Sequence, residues 1–386
     1  MKRSTDRILT THAGSLPRPD DLRALLAAPD GQLPADAAFA ARVQHAVAEA
    51  VRQQTACGLA IVNDGELGKP NFLYYVRERL SGWETRPPQP AAGQGTAGIS
   101  GRDAREFPAY FAVASGRRQI GAGLGQKQVF CVAPLRYIGQ AAVQADIARL
   151  RAALQGVPVE EAFMTAVAPG TIEHWLGNAY YPSYEAFLYG LADAMHEEYK
   201  AIVDAGFVLQ IDDPGLLDGW QMRPELTVAE YRRHAALAVA ALNHALRDLP
   251  SDRVRYHVCW GSYHGPHKHD IPLRDIVDLI LQVRAQAYSI EASNPRHAHE
   301  WRVWEEVKLP EGKLLIPGVV GHYSDFIEHP ELIAERLVRY ARLVGRENVI
   351  AGTDCGLGER VGHPTIVWAK FQALAEGARL ATQRLW

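Results

Sequence analysis

Short runs of β-branched and apolar residues alternate along the chain with longer segments rich in Ala, Leu, Glu and Arg, a pattern that predicts parallel strands joined by crossover helices. Eight runs have strand character, at residues 59–63, 129–133, 162–167, 208–212, 255–259, 288–291, 313–319 and 348–353. Between them, residues 184–204, 228–247, 273–284 and 330–343 have the composition and length of helices. Eight strands alternating with helices predict an α/β fold of the (β/α)8 TIM-barrel type, with an open doubly wound sheet as the alternative. The barrel carries its own test, because the working residues of such folds gather at the C-terminal ends of the strands. Asn63-Asp64-Gly65-Glu66 follows the first run, Asp212-Asp213-Pro214 the fourth and Asp354-Cys355-Gly356 the eighth. His257 and Cys259 end the fifth run, Glu291 ends the sixth, and His322 follows the seventh.

Composition narrows the class. With 386 residues, 47% of them hydrophobic, the chain can bury a large core. A net charge of −3 with acids and bases interspersed leaves no basic face for a phosphate backbone, so no nucleic-acid partner is expected. The chain has no run of roughly 18 apolar residues, and its start leads into no signal region, so neither a membrane span nor a signal peptide is expected. The cysteines Cys57, Cys131, Cys259 and Cys355 are too few and too scattered for a disulfide framework, which fits a reducing, cytoplasmic setting. One barrel domain over residues 1–386 is expected, interrupted at about 84–127 by a stretch rich in Gly, Pro, Gln and Arg that is too long for a barrel connection. That stretch is either an excursion over the active face or a surface loop without a role. A homo-oligomer stays open.

His257-Val258-Cys259 sets an imidazole and a thiol two apart on a strand, so both point the same way. Glu291 ends the neighbouring strand, about 4.8 Å away, and Cys355 reaches in from the eighth. Zinc accepts thiolate, imidazole and carboxylate together. On spacing alone, a zinc centre and a chance His-x-Cys beside a buried Cys355 remain alternatives. His264, His267 and His269, on a loop with Gly265 and Pro266, read as solvated or substrate-facing rather than as a second metal site.

Together these motifs resemble the catalytic half of cobalamin-independent methionine synthase, within the barrel superfamily that includes uroporphyrinogen decarboxylase. His257-Val258-Cys259, Ile290-Glu291-Ala292-Ser293 and Asp354-Cys355-Gly356-Leu357 look like that family's zinc-ligand segments. Gly14-Ser15-Leu16-Pro17-Arg18 is similar to its N-terminal substrate loop, Asp64-Gly65-Glu66 to its His-Gly-Glu segment and Gln210-Ile211-Asp212-Asp213-Pro214 to its Gln-Ile-Asp-Glu-Pro segment. The resemblance runs from about Thr11 to Arg360. It implies a zinc ion (Zn2+) held by His257, Cys259, Glu291 and Cys355, with Glu66 and Asp212 around the ammonium of homocysteine and Ser15 at its carboxylate. It further implies that a small-molecule thiol acceptor is activated at zinc while the bond to Glu291 loosens, so that a methyl group passes to homocysteine to give methionine.

The chain also departs from that pattern. It is about half the length of the two-barrel enzyme, which leaves folate, corrinoid and epoxide alkyl donors all open. The family's Tyr-Asp-Ile-His-Ser segment, which supplies a catalytic acid, reads Val320-Gly321-His322-Tyr323-Ser324 here, so His322 is the candidate proton donor although it stands one place early. Asp64 replaces the histidine before Gly65-Glu66. A single-barrel relative, epoxyalkane:coenzyme M transferase, opens an epoxide with a zinc-bound thiolate and is the alternative activity. Its sulfonate acceptor calls for Arg or Lys where Glu66 and Asp212 stand. A metal-free lyase of the uroporphyrinogen decarboxylase kind would leave His257 and both motif cysteines without a role. A zinc-stabilised binding protein would draw its ligands from local loops rather than from three distant strands.

Overall fold

The computed structural model describes residues 1–26, 36–86, 101–114, 128–358 and 360–386. Eight strands form one parallel sheet: β1 (Leu9–Thr10), β2 (Ile61–Val62), β3 (Glu161–Val167), β4 (Val208–Asp212), β5 (Val254–Val258), β6 (Ala287–Ile290), β7 (Leu314–Val320) and β8 (Ile350–Thr353). Neighbours in sequence from β2 to β8 pair side by side, and β8 pairs with β1. The Ala60 N–H donates to Thr10 O at 3.1 Å and joins the two end strands, closing the ring as the barrel expectation requires. Helices Tyr184–Asp204, Val228–Ala245 and Pro330–Val344 occupy the places read from composition. The segment after Leu273 does not form one helix, because Ile276 leaves helical geometry at φ −139° and only Val277–Ile280 winds beyond it.

One strand expectation is corrected. Gln128–Cys131 pairs antiparallel with Trp83–Arg86 and parallel with Gly177–Asn178, in a small side sheet outside the barrel. Its residues alternate between half-buried and buried, as in a strand with one wet face, whereas strands such as β4 and β5 are buried throughout. The barrel strand that takes its place is β1, and two residues are too short to show any period.

Period-two alternation divides the core. Leu9, Ile61, Phe163, Val208, Ala287, Leu314, Ile316 and Ile350 fill the inside of the ring. The residues between them, among them Leu209, Ile211, Val254, Tyr256, Val258 and Tyr288, pack outward against the helices. On β5 this leaves Arg255 and His257 facing inward, with Cys259 next in the same register. The buried Arg255 guanidinium lies 3.9 Å from the Phe163 ring centroid and donates to Thr11 Oγ1 and His12 O, so a charged side chain takes the place of an apolar one in that layer.

Within the expected insertion at 84–127, residues 87–100 and 115–127 lie outside the described residues. Short helices Arg102–Glu106 and Pro108–Ala114 are described, and the first packs on the loop after β5. The buried Asp103 carboxylate accepts from Lys268 N and His269 N and from the Tyr263 hydroxyl, at 3.0–3.1 Å. Arg102 stacks 3.4 Å from the Trp220 ring centroid and donates to Trp220 O, Arg223 O and Leu226 O.

Candidate active site

Parallel register carries the site from strand to strand. Asp212 on β4 sits opposite His257 on β5, which sits opposite Ser289 on β6. His257 Nδ1 is 3.2 Å from Ser289 Oγ, while its buried Nε2 has no hydrogen-bond partner. Cys355 enters from the loop after β8, and its Sγ lies 3.8 Å from Cys259 Sγ. The donor atoms of His257, Cys259 and Cys355 all fall within 4.8 Å of one another. The two thiols share a proton unequally: the hydrogen bond from Cys259 draws Cys355 well below the ordinary thiol range, with His257 and His322 adding to it, and Cys259 is driven up in turn. The other two cysteines lie outside this group, Cys57 against Trp368 O and Cys131 against Ala133 O.

Glu291 stands apart from the other three expected ligands. Its carboxylate groups instead with His322 and Asp354, with one donor atom of each residue within 4.8 Å of the others. Glu291 Oε2 accepts from Trp260 N at 2.9 Å, and Oε1 accepts from Asn294 Nδ2 at 3.0 Å and the Tyr323 hydroxyl at 2.6 Å. Asp354 Oδ1 takes the N–H groups of Ala292 and Ser293, both at 2.8 Å. Burial, followed by the charge on Glu291, pushes Asp354 up to about 8. His322 is completely buried beneath Tyr323, neither ring nitrogen has a hydrogen-bond partner, and burial lowers its pKa against the pull of Cys355 and Glu291.

A second centre lies beside the first, since Asp212 on β4 is the register neighbour of His257 on β5. Gly65 and Glu66 both adopt left-handed backbone, at φ 67° and 59°, and the turn is held by Asn63 Oδ1 on Gly65 N and Asp64 Oδ1 on Glu66 N. A non-glycine residue in this conformation carries strain of the kind that collects at working sites. The turn aims Glu66 inward, where its Oε2 is buried without a partner. Gly14 packs so tightly that a Cβ there would come within 2.6 Å of Glu66 Oε1 and 3.7 Å of Gln210 Nε2. Gln210 Nε2 in turn donates to Asp212 Oδ1 at 2.6 Å and to Ala13 O at 2.7 Å. Burial and then the Asp212 charge push Glu66 up to about 8, and burial raises Asp212 to about 6. Lys69 donates to Thr165 O rather than making a surface pair with Glu66. The adjacent Asp213 has a different job, binding Thr171 and Tyr256 at 2.7 Å each, so it is Asp213 and not Asp212 that ties down this turn. Ser15 joins the two centres: Leu357 N donates to its carbonyl, and a Cβ on Gly356 would meet its Oγ at 2.3 Å.

The histidine loop corrects one expectation. His264 is exposed, but His267 is buried at φ 52°, 2.7 Å from Asp270. Asp270 also binds His297, which reaches Glu300 and stacks on Trp260 with ring centroids 3.5 Å apart. Glu300, His297, Asp270 and His267 thus form a buried charged chain behind the site, and it is not among the donor groups that could hold a metal in the described residues. Sequence reasoning did not single out Tyr323, Asn294 or Gln210. Each was within its reach, next to His322, three residues after Glu291 and on the same strand face as Asp212.

Comparison with known proteins agrees with the fold. A family model described as the catalytic domain of cobalamin-independent synthase matches residues 141–377. A methionine synthase of Thermococcus kodakarensis is 23% identical over 385 residues, covering 97% of this chain and 94% of the relative. Among solved structures, a B12-independent methionine synthase from Shewanella sp. W3-18-1 in complex with selenomethionine superposes with a TM-score of 0.73 at 20% identity, covering 98% of this chain and 99% of that one. A putative vitamin-B12 independent methionine synthase from Listeria monocytogenes gives a TM-score of 0.66 at 17% identity, with 98% and 99% covered. These structures share the barrel fold.

Proposed function

Because the chain belongs to the cobalamin-independent methionine synthase family, we propose that it is a zinc-dependent thiol S-methyltransferase with homocysteine as its acceptor. The observation that carries this reading is the buried carboxylate pair, Glu66 and Asp212, beside the His257, Cys259 and Cys355 donor group, with Asp212 on the strand next to His257. Among the described residues neither buried acid is in salt-bridge contact with a cation, and Glu66 stays raised to about 8 although Lys69 and Arg18 pull it down, so a further cation brought by a ligand fits between them. Homocysteine brings an ammonium for the acids and a thiol for the sulfur-rich side. Coenzyme M would bring a sulfonate, a further negative charge.

The donor set fits zinc, which favours thiolate and imidazole in a four-coordinate site. The unpartnered His257 Nε2 is the ligand nitrogen, and Ser289 fixes its ring from the other side. Glu291 is the fourth, exchangeable donor. Bound zinc supplies a Lewis acid that keeps an incoming thiol deprotonated yet nucleophilic at neutral pH. The remaining work falls to side chains. Glu66 and Asp212 bind the ammonium, and Ser15 meets the acceptor carboxylate. As the sulfur–carbon bond forms and the bond from carbon to its donor breaks, the thiol proton must reach the departing group. His322, neutral through burial and with both nitrogens unpartnered, holds and delivers it.

The 84–127 segment is read as an excursion of one barrel domain, and its described helix Arg102–Glu106 lies on the loop after β5. Among the described residues no helix is long and apolar enough to cross a membrane. Free Cys259 and Cys355 would persist in the reducing cytoplasm, where we place the protein. To test the reading, the zinc-loaded protein is incubated with homocysteine, coenzyme M or glutathione against methyltetrahydrofolate, methylcobalamin and a small epoxide, and thioethers are identified by mass spectrometry. Methionine is the expected product, and a thioether formed only from coenzyme M would refute the assignment.

A further inference from the structure

No hydrogen bond within the protein aims the ring of His322. Neither ring nitrogen has a partner among the described residues, whereas a histidine that handles protons is ordinarily oriented through a bond on its second nitrogen. The ring packs on Tyr323, the next residue of the same loop, with centroids 3.8 Å apart, so that contact moves with the loop. Its direction therefore comes from the backbone that bears it, and that backbone is tied down residue by residue. Arg336 Nη1 donates to Val319 O at 2.8 Å, and Asp354 N donates to Val320 O at 2.9 Å. At Gly321 both peptide groups are taken by one ion pair: Glu328 Oε1 accepts from Gly321 N at 2.8 Å, and Lys370 Nζ donates to Gly321 O at 3.0 Å. The second contact fixes the plane of the peptide that leads into His322. Lys370 lies on the helix Pro364–Leu385, whose other buried residues are apolar or glycine, and it also donates to Phe326 O and, at 3.0 Å, to Glu328 Oε2. A charged group is costly to bury, and this fully buried one closes the 321–328 loop upon itself. The fit at Gly321 is close, since a Cβ there would stand 3.3 Å from Ser293 Oγ and 3.4 Å from Glu328 Oε1.

We infer that Lys370 and Glu328 are positioning residues for His322: their buried ion pair clamps both peptide groups of Gly321 and so sets the direction in which the imidazole meets the departing group. The inference rests on the proposed role of His322 and goes beyond it by assigning the orientation of that ring to two residues outside the metal-donor and acceptor-binding groups. A proton donor displaced by about an ångström loses on the order of a hundredfold in rate, while acceptor and zinc sites held by other loops stay as they are.

The test uses the full-length, zinc-loaded protein. Lys370→Met alone would strand the Glu328 charge, so the two are neutralised together as Lys370→Met/Glu328→Gln, in which the Gln amide oxygen can still take the Gly321 N–H while both carbonyls lose their donor. Turnover at saturating homocysteine is expected to fall about ten- to a hundredfold, with homocysteine affinity by calorimetry and zinc content by elemental analysis within about twofold of wild type. In a His322→Leu background the same double substitution should lower turnover by less than about twofold, because no ring is left to aim. With isotope-labelled histidine, the NMR signal that His322→Leu lacks should be single in the wild type and broadened or doubled in the double variant. Should the double variant not fold, Glu328→Ala puts the same question from the other side, freeing the Gly321 N–H while Lys370 keeps both carbonyls. Equal losses in both backgrounds, a wild-type rate or an unchanged His322 signal overturns the clamp and leaves His322 as the acid. A His322→Leu protein that turns over at the wild-type rate overturns the acid reading and the clamp with it.

Discussion

Replacing Glu66 by Gln should weaken acceptor binding and stabilise the empty protein. Burial and the Asp212 charge raise Glu66 from an ordinary 4.5 to about 8, so it holds its proton more tightly folded than unfolded. Stability of the ligand-free protein therefore falls as pH rises from 4.5 to 8, the window in which the unfolded chain has lost the proton and the folded one retains it. At about 1.36 kcal/mol per pH unit, the cost to the empty protein at pH 7 is on the order of 3 kcal/mol. Glu66→Gln removes it, so the melting temperature at pH 7 should rise by roughly 3–6 °C for a chain of this size. Bound homocysteine reverses the sign, because its ammonium needs the ionised pair. Losing one charge-assisted contact of about 1.5–3 kcal/mol weakens binding roughly ten- to a hundredfold. Wild-type affinity should also decline as pH drops from 8 towards 6, and the upper part of that decline should vanish in Glu66→Gln. Calorimetric titration and thermal melts across this pH range measure both effects. Unchanged homocysteine affinity together with an unchanged or lower melting temperature would refute the argument, since the acids would then face neither a cation nor each other.

The other expectations are more direct. Cys259→Ser and Cys355→Ser should each lose zinc by elemental analysis yet keep the wild-type circular dichroism spectrum, because the barrel core is complete without the donor group; full zinc occupancy in both would remove the site. His322→Leu should retain zinc and melt no lower than wild type, since it deletes two buried nitrogens that no partner satisfies, while turnover falls at least tenfold. An unaltered rate would leave His322 without a role. Asp213→Ala should lower stability by about 2–4 kcal/mol in denaturant unfolding by stranding Thr171 and Tyr256, with zinc content unchanged. A stable Asp213→Ala protein that fails to bind homocysteine would mean that the two adjacent aspartates had been assigned the wrong way round.

The fold was legible in the sequence where burial was two-sided and the element long. Helix Tyr184–Asp204 and strand β4 each coincide with their expected ranges, 184–204 and 208–212, because Ser183 caps one and continuous burial marks the other. Leu9–Thr10 was hidden because a barrel strand can be two residues long when its register is set by β8, with Leu9 opposite Ile350. Gln128–Cys131 misled for the converse reason, being a good strand whose partners lie in a sheet that local composition cannot distinguish from the barrel.

The chemistry was legible to the extent that it follows strand alternation. His257 and Cys259 face one way because they are two apart, and Asp212 meets His257 because parallel register puts them opposite each other. What alternation cannot specify is a contact made by loops. Glu291 lies one residue past β6 with its N–H still on Val258 O, and its side-chain partners Trp260 N, Asn294 and Tyr323 come from three loops. A residue type that zinc accepts is also one that three hydrogen-bond donors accept, and the amino acid alone does not say which environment wins. The same ambiguity explains His267, read as facing solvent or substrate and found paired with Asp270. In both cases the deciding factor is how many partners the surrounding loops have already committed. On the proposed zinc reading, His257 lies on β5 and Cys259 one residue past it in the same register, whereas Glu291 is held by donors from three loops and is the donor expected to change partners during a reaction.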